Sequence, residues 1–480
     1  MSKTERPNLY FQSPQNKIFY SAFTFLSAGV QLLLSNKHVM HIGIDDTDST
    51  RRGCTTYVVA LLVEELEKLC VTFLDYPKLV RLNPNVPWKT RGNGALSLKI
   101  AYNNGFEGKI KEAVVSLVEE HSDLCFKGTN PGIVFFQNEK IPEEIKAFSG
   151  NAIKSIVTLK EATKLTQKFG GEAFGFKNCR GIIGALAAVG ETFEGDHTYE
   201  LIAYRVPENC GLKRHVDARS IFKMDKLTHP YTFNNLDSEK GRIIITPRGP
   251  DPILFGIRGE TPRMVLKAFE LVKPREKVER WLVFRSNQGT DAHLKQVTAL
   301  NKIEPYGSVI AKGVVSRSPR LVPLRHVIFS MRDETAEVDC AAYEPTGDLR
   351  KVARNLILGD SIETYGAVRK PSPGKRLTVN LEKIKILALA PKTMLQNPIC
   401  PKCDKRLKSM GKDKGFRCKK CGARLKDAGK VRTSVERGLQ LGLHITSIRS
   451  QRHLTKPLKR YGLEKHDAPA EGMIESWHSK

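Results

Sequence analysis

Four cysteines near the carboxyl end constrain the fold of this chain more than any other feature of its sequence. Cys400 and Cys403 form one C-x-x-C pair, and Cys418 and Cys421 form a second pair fourteen residues further on. Two short turns that each present two thiolates match a closed tetrahedral zinc site, so the spacing predicts a structural zinc ribbon over 391–430. The alternative is two redox-active C-x-x-C motifs, but the helix that opens a thioredoxin-type site is missing from the pattern.

Positive charge is concentrated in the same part of the chain. The 480 residues carry a formal net charge of +27, and residues 391–480 alone contain 22 Lys and Arg against eight Asp and Glu. Lys and Arg neutralise phosphates, so this balance favours a polyanionic partner and disfavours an enzyme that acts on a small neutral substrate. A zinc ribbon with a basic tail is typical of a nucleic-acid binding surface, and the charge does not distinguish DNA from RNA.

The length predicts three or four domains. Residues 1–39 include an apolar run that is too short and too polar to span a bilayer, and we expect this extension to be disordered and dispensable. Helical and strand patterns alternate over 40–165, including one predicted strand over Val71–Leu82, and strands with a Gly-rich segment follow over 166–285. Short strands with one inserted helix over 286–390 fit a five-stranded OB barrel.

The remaining segment, 431–480, is predicted to be a basic C-terminal segment. Six further cysteines are scattered along the chain, which is typical of a reducing compartment, so we expect a cytoplasmic protein.

An acidic turn follows the first predicted strand, His41–Ile44. Asp45, Asp46 and Asp48 place three carboxylates within four positions, just before a predicted helix over Thr55–Leu69. Ligands bind at this end of the strands in open α/β sheets, and clustered carboxylates suit Mg²⁺ bridged to phosphate. The alternative is an acidic turn that only caps the helix.

A loop over 84–94 is the natural complement to these acids. Lys89 and Arg91 supply positive charge, and Gly92, Asn93 and Gly94 allow the backbone to approach an anion. An ordinary strand-connecting loop is the alternative. Because the G-x-x-x-x-G-K-[ST] motif is absent from the sequence, ATP would have to bind in a different way from that in P-loop enzymes.

Six motifs in order along the chain carry a family resemblance. They are GIDDTDS at 43–49, PWKTRGNGA at 87–95, CRGIIGALAAVG at 179–190, DHTYELIAYR at 196–205, DPILFGIRGE at 251–260 and HLTKPLKRYG at 453–462. With the cysteine cluster, they resemble the archaeal TiaS family, the agmatidine synthetases of isoleucine tRNA with a CAU anticodon. The resemblance covers essentially everything from Met40 onward.

The resemblance implies a multidomain α+β protein and a two-step reaction. It implies an ATP-binding kinase-like domain over 40–165, a ferredoxin-like domain over 166–285, an OB-fold over 286–390 and the zinc ribbon. ATP would phosphorylate the C2 oxygen of the anticodon wobble cytidine, and the amine of agmatine would displace that phosphate. ATP, Mg²⁺ and Zn²⁺ are the implied cofactors.

Residue roles follow from the resemblance and the chemistry together. Asp45, Asp46 and Asp48 would hold Mg²⁺, and the Lys89–Gly94 loop would hold phosphates. The family also phosphorylates a threonine of its own, which matches Thr56.

Agmatine is a dication and needs carboxylates. The weak candidates are Asp196, Glu200, Asp217 and Asp251, each of which alone fits a surface or capping role better. The glycines over 181–190 fit either the agmatine pocket or close packing, and we favour packing.

One function of a different class remains open. The chain could be a non-catalytic nucleic-acid binding protein built on the OB-fold and the zinc ribbon, with the acidic turn as a cap. Such a protein has no use for a metal and phosphate site, so the pairing of the acidic turn with the loop separates the two hypotheses.

Overall fold

The structure is a computed structural model that describes residues 37–237, 240–371, 373–374, 376–466 and 472–479. Residues 1–36 of the predicted extension lie outside the described residues. The prediction that the extension runs to residue 39 is wrong, because the first strand begins at Lys37. Residues 37–39 pair with Ala101–Asn103, so main-chain hydrogen bonding ties them into the sheet.

One ten-stranded sheet runs through the amino-terminal half of the chain. Its strands in chain order are β1 (Lys37–Asp45), β2 (Thr72–Phe73), β3 (Lys78–Arg81), β4 (Gly94–Asn103), β5 (Gly132–Phe136), β6 (Glu172–Gly175), β7 (Thr198–Arg205), β8 (Thr232–Phe233), β11 (Ile253–Gly259) and β12 (Val278–Ser286). A separate short hairpin joins β9 (Leu236–Asp237) to β10 (Arg242–Ile243).

The sheet order is β6-β5-β1-β4-β3-β12-β7-β11-β8, with β2 beside β4. Strands β1 to β6 form one half of this order, and β7, β8, β11 and β12 form the other half. The two halves meet where β3 and β12 run parallel, with Arg285 opposite Lys78. Most other neighbours are antiparallel, as the mixed α/β pattern allows.

Seven helices cover this sheet in the described ranges. They are α1 (Thr55–Lys68), α2 (Glu107–His121), α3 (Glu143–Lys154), α4 (Leu159–Lys168), α5 (Gly181–Gly190), α6 (Ala218–Thr228) and α7 (Pro262–Leu271). The apolar faces of α1 and α2 pack on one side of the first strands. Helices α3, α4 and α5 pack on the other side, while α6 and α7 belong to a third apolar cluster around β11.

Helix α5 lies very close to the first strands because its glycines lack side chains. A β carbon at Gly43 would lie 2.1 Å from the carbonyl oxygen of Ala185, and one at Gly181 would lie 2.3 Å from the nitrogen of Gly132. Contacts below 3.0 Å are not possible for real β carbons, so this approach requires glycine. The close packing favoured for the Gly-rich segment is present, since α5 packs on β1, β4 and β5. Gly184 of the same helix also lines the cavity described below.

The predicted five-stranded barrel is confirmed. Its strands are β13 (Ser308–Val322), β14 (His326–Arg332), β15 (Glu337–Ala342), β16 (Ser361–Arg369) and β17 (Thr378–Ala388). Pairing of β15 with β17 closes the barrel, and helix α8 (Asp348–Arg354) lies between the third and fourth strands. The interior is a separate apolar cluster, as expected for a small closed barrel.

The region around the cysteine cluster forms two small antiparallel sheets. A ribbon pairs β18 (Thr393–Gln396) with β22 (Val431–Ser434). Beyond it lies a three-stranded sheet of β19 (Lys408–Ser409), β20 (Phe416–Arg417) and β21 (Arg424–Leu425).

The chain then returns to the barrel and to the large sheet. Strand β23 (Gly442–Ile445) pairs with β17 of the barrel. Arg460 forms buried ion pairs with Glu260 and Asp196, and Trp477 packs into the apolar cluster beneath β1 and α1. The predicted basic C-terminal segment therefore links the barrel to the sheet. Among helices of the described ranges, none combines the length and apolar character that crossing a membrane requires.

Candidate active site

A cavity of about 490 Å³ lies between the acidic turn, the 84–94 loop and the C-terminal segment. The cavity brings together most of the residues that the sequence analysis singled out. The predicted residues that line it are Asp45, Asp46, Asp48, Thr56, Lys89, Arg91, Gly92, Asn93, Gly94, Glu200 and Asp251.

Arginines hold two of the three clustered acids. Arg180 donates to Asp46 Oδ2 from Nε at 3.1 Å and from Nη2 at 2.7 Å. Arg91 Nε donates to Asp48 Oδ2 at 2.7 Å. Asp46 sits at the end of β1 with a φ of 61°, a left-handed conformation that turns the chain sharply after the strand.

Burial changes the acidity of this turn. Burial and the neighbouring charge of Asp46 raise the pKa of Asp45 well above its ordinary value. Burial raises the pKa of Asp46 to about 6, although Arg180 opposes the shift. Burial also raises the pKa of Asp48 against the opposing charge of Arg91. Negative charge at this turn is therefore costly unless a cation shares it.

These residues fit a divalent cation only in part. Within the described ranges, the four cysteines alone form a group of three or more ligands whose atoms all lie within 4.8 Å of one another. The three aspartates therefore do not converge on one point, because Asp48 is drawn towards Arg91. Asp45 and Asp46 are adjacent and mutually repelling, which is the donor set that a hard cation would relieve.

The 84–94 loop faces the acids. Its glycines were expected to lie beside a bound anion, but they lie against the side chains of Arg81 and His453. A β carbon at Gly92 would lie 2.9 Å from Arg81 Nη1 and 2.9 Å from His453 Nε2, and one at Gly94 would lie 3.0 Å from Arg81 Nη1. The glycines thus allow Arg81 and His453 to approach the loop. Asn93 donates from Nδ2 to the carbonyl oxygen of Asn83 at 2.7 Å and so braces the loop.

The candidate agmatine residues separate into two groups. Glu200 and Asp251 line the cavity, but arginines already hold both. Arg258 Nε donates to Glu200 Oε1 at 3.1 Å, and Arg91 and Arg214 lie 3.2 and 3.1 Å from the carboxylate oxygens of Asp251.

Asp196 and Asp217 are not among the residues that line the cavity. Asp196 accepts from Arg460 at 2.8 and 3.1 Å, which ties down the C-terminal segment. Asp217 accepts from the backbone nitrogen of Ser220 at 3.1 Å and caps helix α6. Asp217 therefore has the capping role that the sequence analysis gave as the alternative, whereas Asp196 is neither a surface nor a capping residue but forms a largely buried ion pair.

Thr56 lies in the first turn of α1 and lines the cavity. Its side chain is buried, and its Oγ1 lies 3.0 Å from the Sγ of Cys54. A hydroxyl in this position faces the same space as the acids of the turn.

Sequence reasoning missed four cationic or imidazole groups of this cavity, namely Arg81, Arg180, Arg258 and His453. His453 Nδ1 lies 3.2 Å from Arg258 Nη2 and 3.0 Å from Gln288 Oε1. Burial and the charges of Arg81 and Arg258 lower the pKa of His453 well below its ordinary value, so its ring is neutral. A signal was available for Arg180, which directly precedes the Gly-rich helix α5.

The predicted zinc centre is compatible with the geometry of the thiols. Sγ atoms of Cys400 and Cys421 lie 3.4 Å apart, those of Cys403 and Cys418 lie 3.4 Å apart, and those of Cys403 and Cys421 lie 3.6 Å apart. Tetrahedral zinc with Zn–S bonds of about 2.3 Å brings its sulfurs to similar separations. The four cysteines therefore fit a structural zinc ion.

The fold and the cavity define a multidomain α+β protein that joins a charged, arginine-rich cavity to a closed barrel and a zinc ribbon. Three family models match the chain: the TiaS TCKD domain at 41–112, the TiaS FLD domain at 179–293 and the TiaS C-terminal zinc ribbon domain at 397–439. A relative from Methanocaldococcus jannaschii, the 2-agmatinylcytidine synthetase TiaS of the second isoleucine tRNA, is 44% identical over 427 residues. That match covers 88% of this chain and 98% of the relative.

Solved structures agree with these matches. The crystal structure of TiaS in complex with this isoleucine tRNA and ATP has a TM-score of 0.79 and 40% identity. That of TiaS with the tRNA, AMPCPP and agmatine has a TM-score of 0.77 and 38% identity. Each covers 88% of this chain and 97% of the solved chain. The chain belongs to the TiaS family.

Proposed function

We propose that this chain is an ATP-dependent ligase that attaches agmatine to the wobble cytidine of isoleucine tRNA with a CAU anticodon. The modification, agmatidine, lets the tRNA read AUA. The TiaS relatives carry this activity in their name, and solved TiaS complexes hold the isoleucine tRNA, ATP and agmatine. The observation that carries the proposal is that GIDDTDS and PWKTRGNGA, which lie far apart in the chain, line one cavity.

The chemistry requires two bond exchanges at C2 of the cytidine. The C2 oxygen takes a phosphoryl group from ATP, which converts a poor leaving group into a good one. The primary amine of agmatine then forms the C2–N bond, the C2–O bond breaks and phosphate leaves with its oxygen. The amine gives up one proton, which the departing phosphate takes up, and this completes the exchange. Fixed positive groups that face the phosphates lower the barrier to the first step.

The cavity supplies such groups from three parts of the chain. Lys89, Arg91 and Arg180 line it and would orient the phosphates of ATP, with the backbone of Gly92, Asn93 and Gly94 beside them. Asp45 and Asp46 would hold Mg²⁺, and Asp48 would join them once Arg91 turns to phosphate. Bound Mg²⁺ supplies charge neutralisation of the phosphates.

The remaining roles extend the same site. Thr56 is positioned to accept a phosphoryl group in the cavity, as the family resemblance implies. Among the agmatine candidates, Glu200 and Asp251 are favoured over Asp196 and Asp217 because they line the cavity. Arginines hold both carboxylates, so the dication would have to share or displace those arginines.

We also propose the domain organisation and the location of the protein. The units are a kinase-like unit over 37–165, a ferredoxin-like unit over 166–285, the OB barrel over 286–390, the zinc ribbon over 391–430 and the basic segment over 431–480. Together they would account for the binding of ATP, agmatine and tRNA. Helix α5 packs on strands of the first unit, which supports a tight association of the first two units. The reaction on tRNA supports a cytoplasmic location.

Mass spectrometry of the wobble nucleoside tests the proposed function. The full chain is incubated with unmodified isoleucine tRNA transcript, ATP, Mg²⁺ and agmatine, and parallel reactions omit ATP or agmatine. The expected product is a cytidine heavier by one agmatine less one water, formed only in the complete mixture. Tight tRNA binding without any mass change would instead support the non-catalytic nucleic-acid binding protein.

A further inference from the structure

Trp88 lines the cavity with an aromatic side chain that is largely exposed to solvent. Its relative exposure is 48%, whereas Phe233, which also lines the cavity, is buried. The other two tryptophans, Trp281 and Trp477, pack with the apolar clusters of the sheet. Burial of apolar surface in a core therefore accounts for the positions of Trp281 and Trp477. It does not account for the exposed indole of Trp88, which faces a cavity.

The loop that carries Trp88 is held in place on its amino-terminal side. Asn83 Nδ2 donates to the carbonyl oxygen of Tyr306 at 2.9 Å, and Asn85 Nδ2 donates to Ser308 Oγ at 2.9 Å, so the barrel anchors the first part of the loop. Arg452 of the C-terminal segment donates to Asn85 Oδ1. The indole is thus presented by a braced segment at the junction of sheet, barrel and C-terminal segment.

Positive side chains line the cavity together with this indole. Lys89 follows it directly and is exposed, and exposed Arg449 lines the same cavity from the C-terminal segment. Burial and the charge of Arg452 lower the pKa of Lys89, which shows that like charges gather here. Ile156, at 38% exposure, and Val157 add apolar lining to the same cavity. An aromatic face beside cations is the combination that holds an unstacked base and its flanking phosphates.

We propose that Trp88 is the stacking platform for the wobble cytidine of the tRNA after that base has left the anticodon stack. The inference rests on the proposed function and adds the residue that receives the base. An RNA base arrives with phosphates on both sides, and Arg449, which is not among the groups assigned to the phosphates of ATP, is an exposed cation that lines the same cavity. Stacking on the indole offsets the loss of stacking in the anticodon loop. The adenine of ATP is the competing occupant, and the test separates the two.

The experiment uses the full chain and an isoleucine tRNA transcript with a fluorescent cytidine analogue at the wobble position. Stacking on an indole quenches such an analogue. Three variants are compared with the parent chain: Trp88→Ala, Trp88→Phe and the control Phe222→Ala, which removes an aromatic ring of 44% exposure outside the cavity. Equilibrium binding of Mg²⁺–ATP without tRNA, the KM for tRNA and the yield of modified cytidine are measured in parallel.

The proposal predicts that the parent chain quenches the analogue and that Trp88→Ala loses most of the quench. The KM for tRNA should rise roughly tenfold in Trp88→Ala, with Mg²⁺–ATP affinity unchanged, because one base stack is lost. Trp88→Phe should recover part of both signals, and Phe222→Ala should match the parent chain.

An unchanged quench in Trp88→Ala would overturn the proposal that Trp88 stacks on the wobble cytidine. If Trp88→Ala also lost much of its affinity for Mg²⁺–ATP while it kept the quench, the indole would be assigned to the adenine of ATP. Product formation without any quench in the parent chain would also refute it. A Trp88-dependent quench without product would support the platform while the proposed function fails.

Discussion

The carboxylate of Asp45 lies directly against Gly184 of helix α5. A β carbon at Gly184 would sit 1.9 Å from Asp45 Oδ2, well inside any allowed contact distance. Two segments that are far apart in sequence therefore share one space, and the acid at the end of β1 keeps its position only while residue 184 has no side chain.

Gly184→Ala should abolish modification of the wobble cytidine while leaving tRNA binding within about twofold, because the added methyl group displaces Asp45. The matched control is Gly150→Ala in helix α3, where nothing lies within 4 Å of the added carbon. That control should retain full activity and gain up to about 1 kcal/mol of stability. Wild-type turnover in Gly184→Ala would show that the position of Asp45 does not matter to the reaction.

Asp46→Asn should make the ion-free chain more stable near neutral pH. The pKa of Asp46 is about 6 in the folded chain against an ordinary value of 3.8, so the folded chain holds the proton more tightly than the unfolded chain does. Ionisation of Asp46 therefore lowers the free energy of unfolding. This loss develops as the pH rises from the ordinary pKa of 3.8 to the folded pKa of about 6, and it persists at higher pH.

The difference in unfolding free energy between Asp46→Asn and the parent chain measures this cost. It should be on the order of 3 kcal/mol at about pH 8 and fall close to zero at about pH 3, in urea titrations without Mg²⁺. The exposed Asp348→Asn, which removes a carboxylate outside the acidic turn, is carried through the same titrations as the control. A less stable Asp46→Asn chain at about pH 8 would contradict the raised pKa.

The order of strands and helices in the first unit could be predicted from local pattern, with one clear failure. The apolar face of Thr55–Leu69 predicted helix α1, which the structure confirms over Thr55–Lys68. A single strand over Val71–Leu82 was also predicted, and this is wrong. The segment splits into β2 and β3, because Pro77 cannot donate to a ladder.

The partners of the acids in the turn could not be predicted in the same way. Arg180 holds Asp46 from 134 positions along the chain, and nothing in the local sequence around either residue encodes that contact. Residue type alone also failed to separate Glu200 and Asp251 from Asp196 and Asp217. All four are acidic, and only the fold decides which of them reaches the cavity.

Cys418→Ser should lose the bound zinc ion. The parent chain is expected to carry one zinc ion per chain, because four thiolates complete a tetrahedral site. Cys340→Ser is the matched control, since Cys340 is a buried cysteine of the barrel and lies outside the cluster. Elemental analysis after purification should find zinc in the control and little in Cys418→Ser, and equal zinc in both would refute the ribbon assignment.

A chain that begins at Lys37 should keep the stability and activity of the full chain. Strand β1 begins at this residue and pairs with β4 along nearly its whole length, so the sheet remains complete. Thermal unfolding and the modification assay check this expectation. A clear loss of either would show that residues 1–36 contribute to the folded protein.

We propose that the acidic turn is required for an ATP-dependent modification of tRNA in this cavity. The most direct measurement compares Asp46→Ala with the parent chain and with the exposed control Asp348→Ala, by mass spectrometry of the wobble cytidine and by tRNA binding at equilibrium. We predict that agmatidine forms with the parent chain and the control, and that Asp46→Ala binds tRNA normally but forms none. Agmatidine formed by Asp46→Ala at the parent rate would contradict the account.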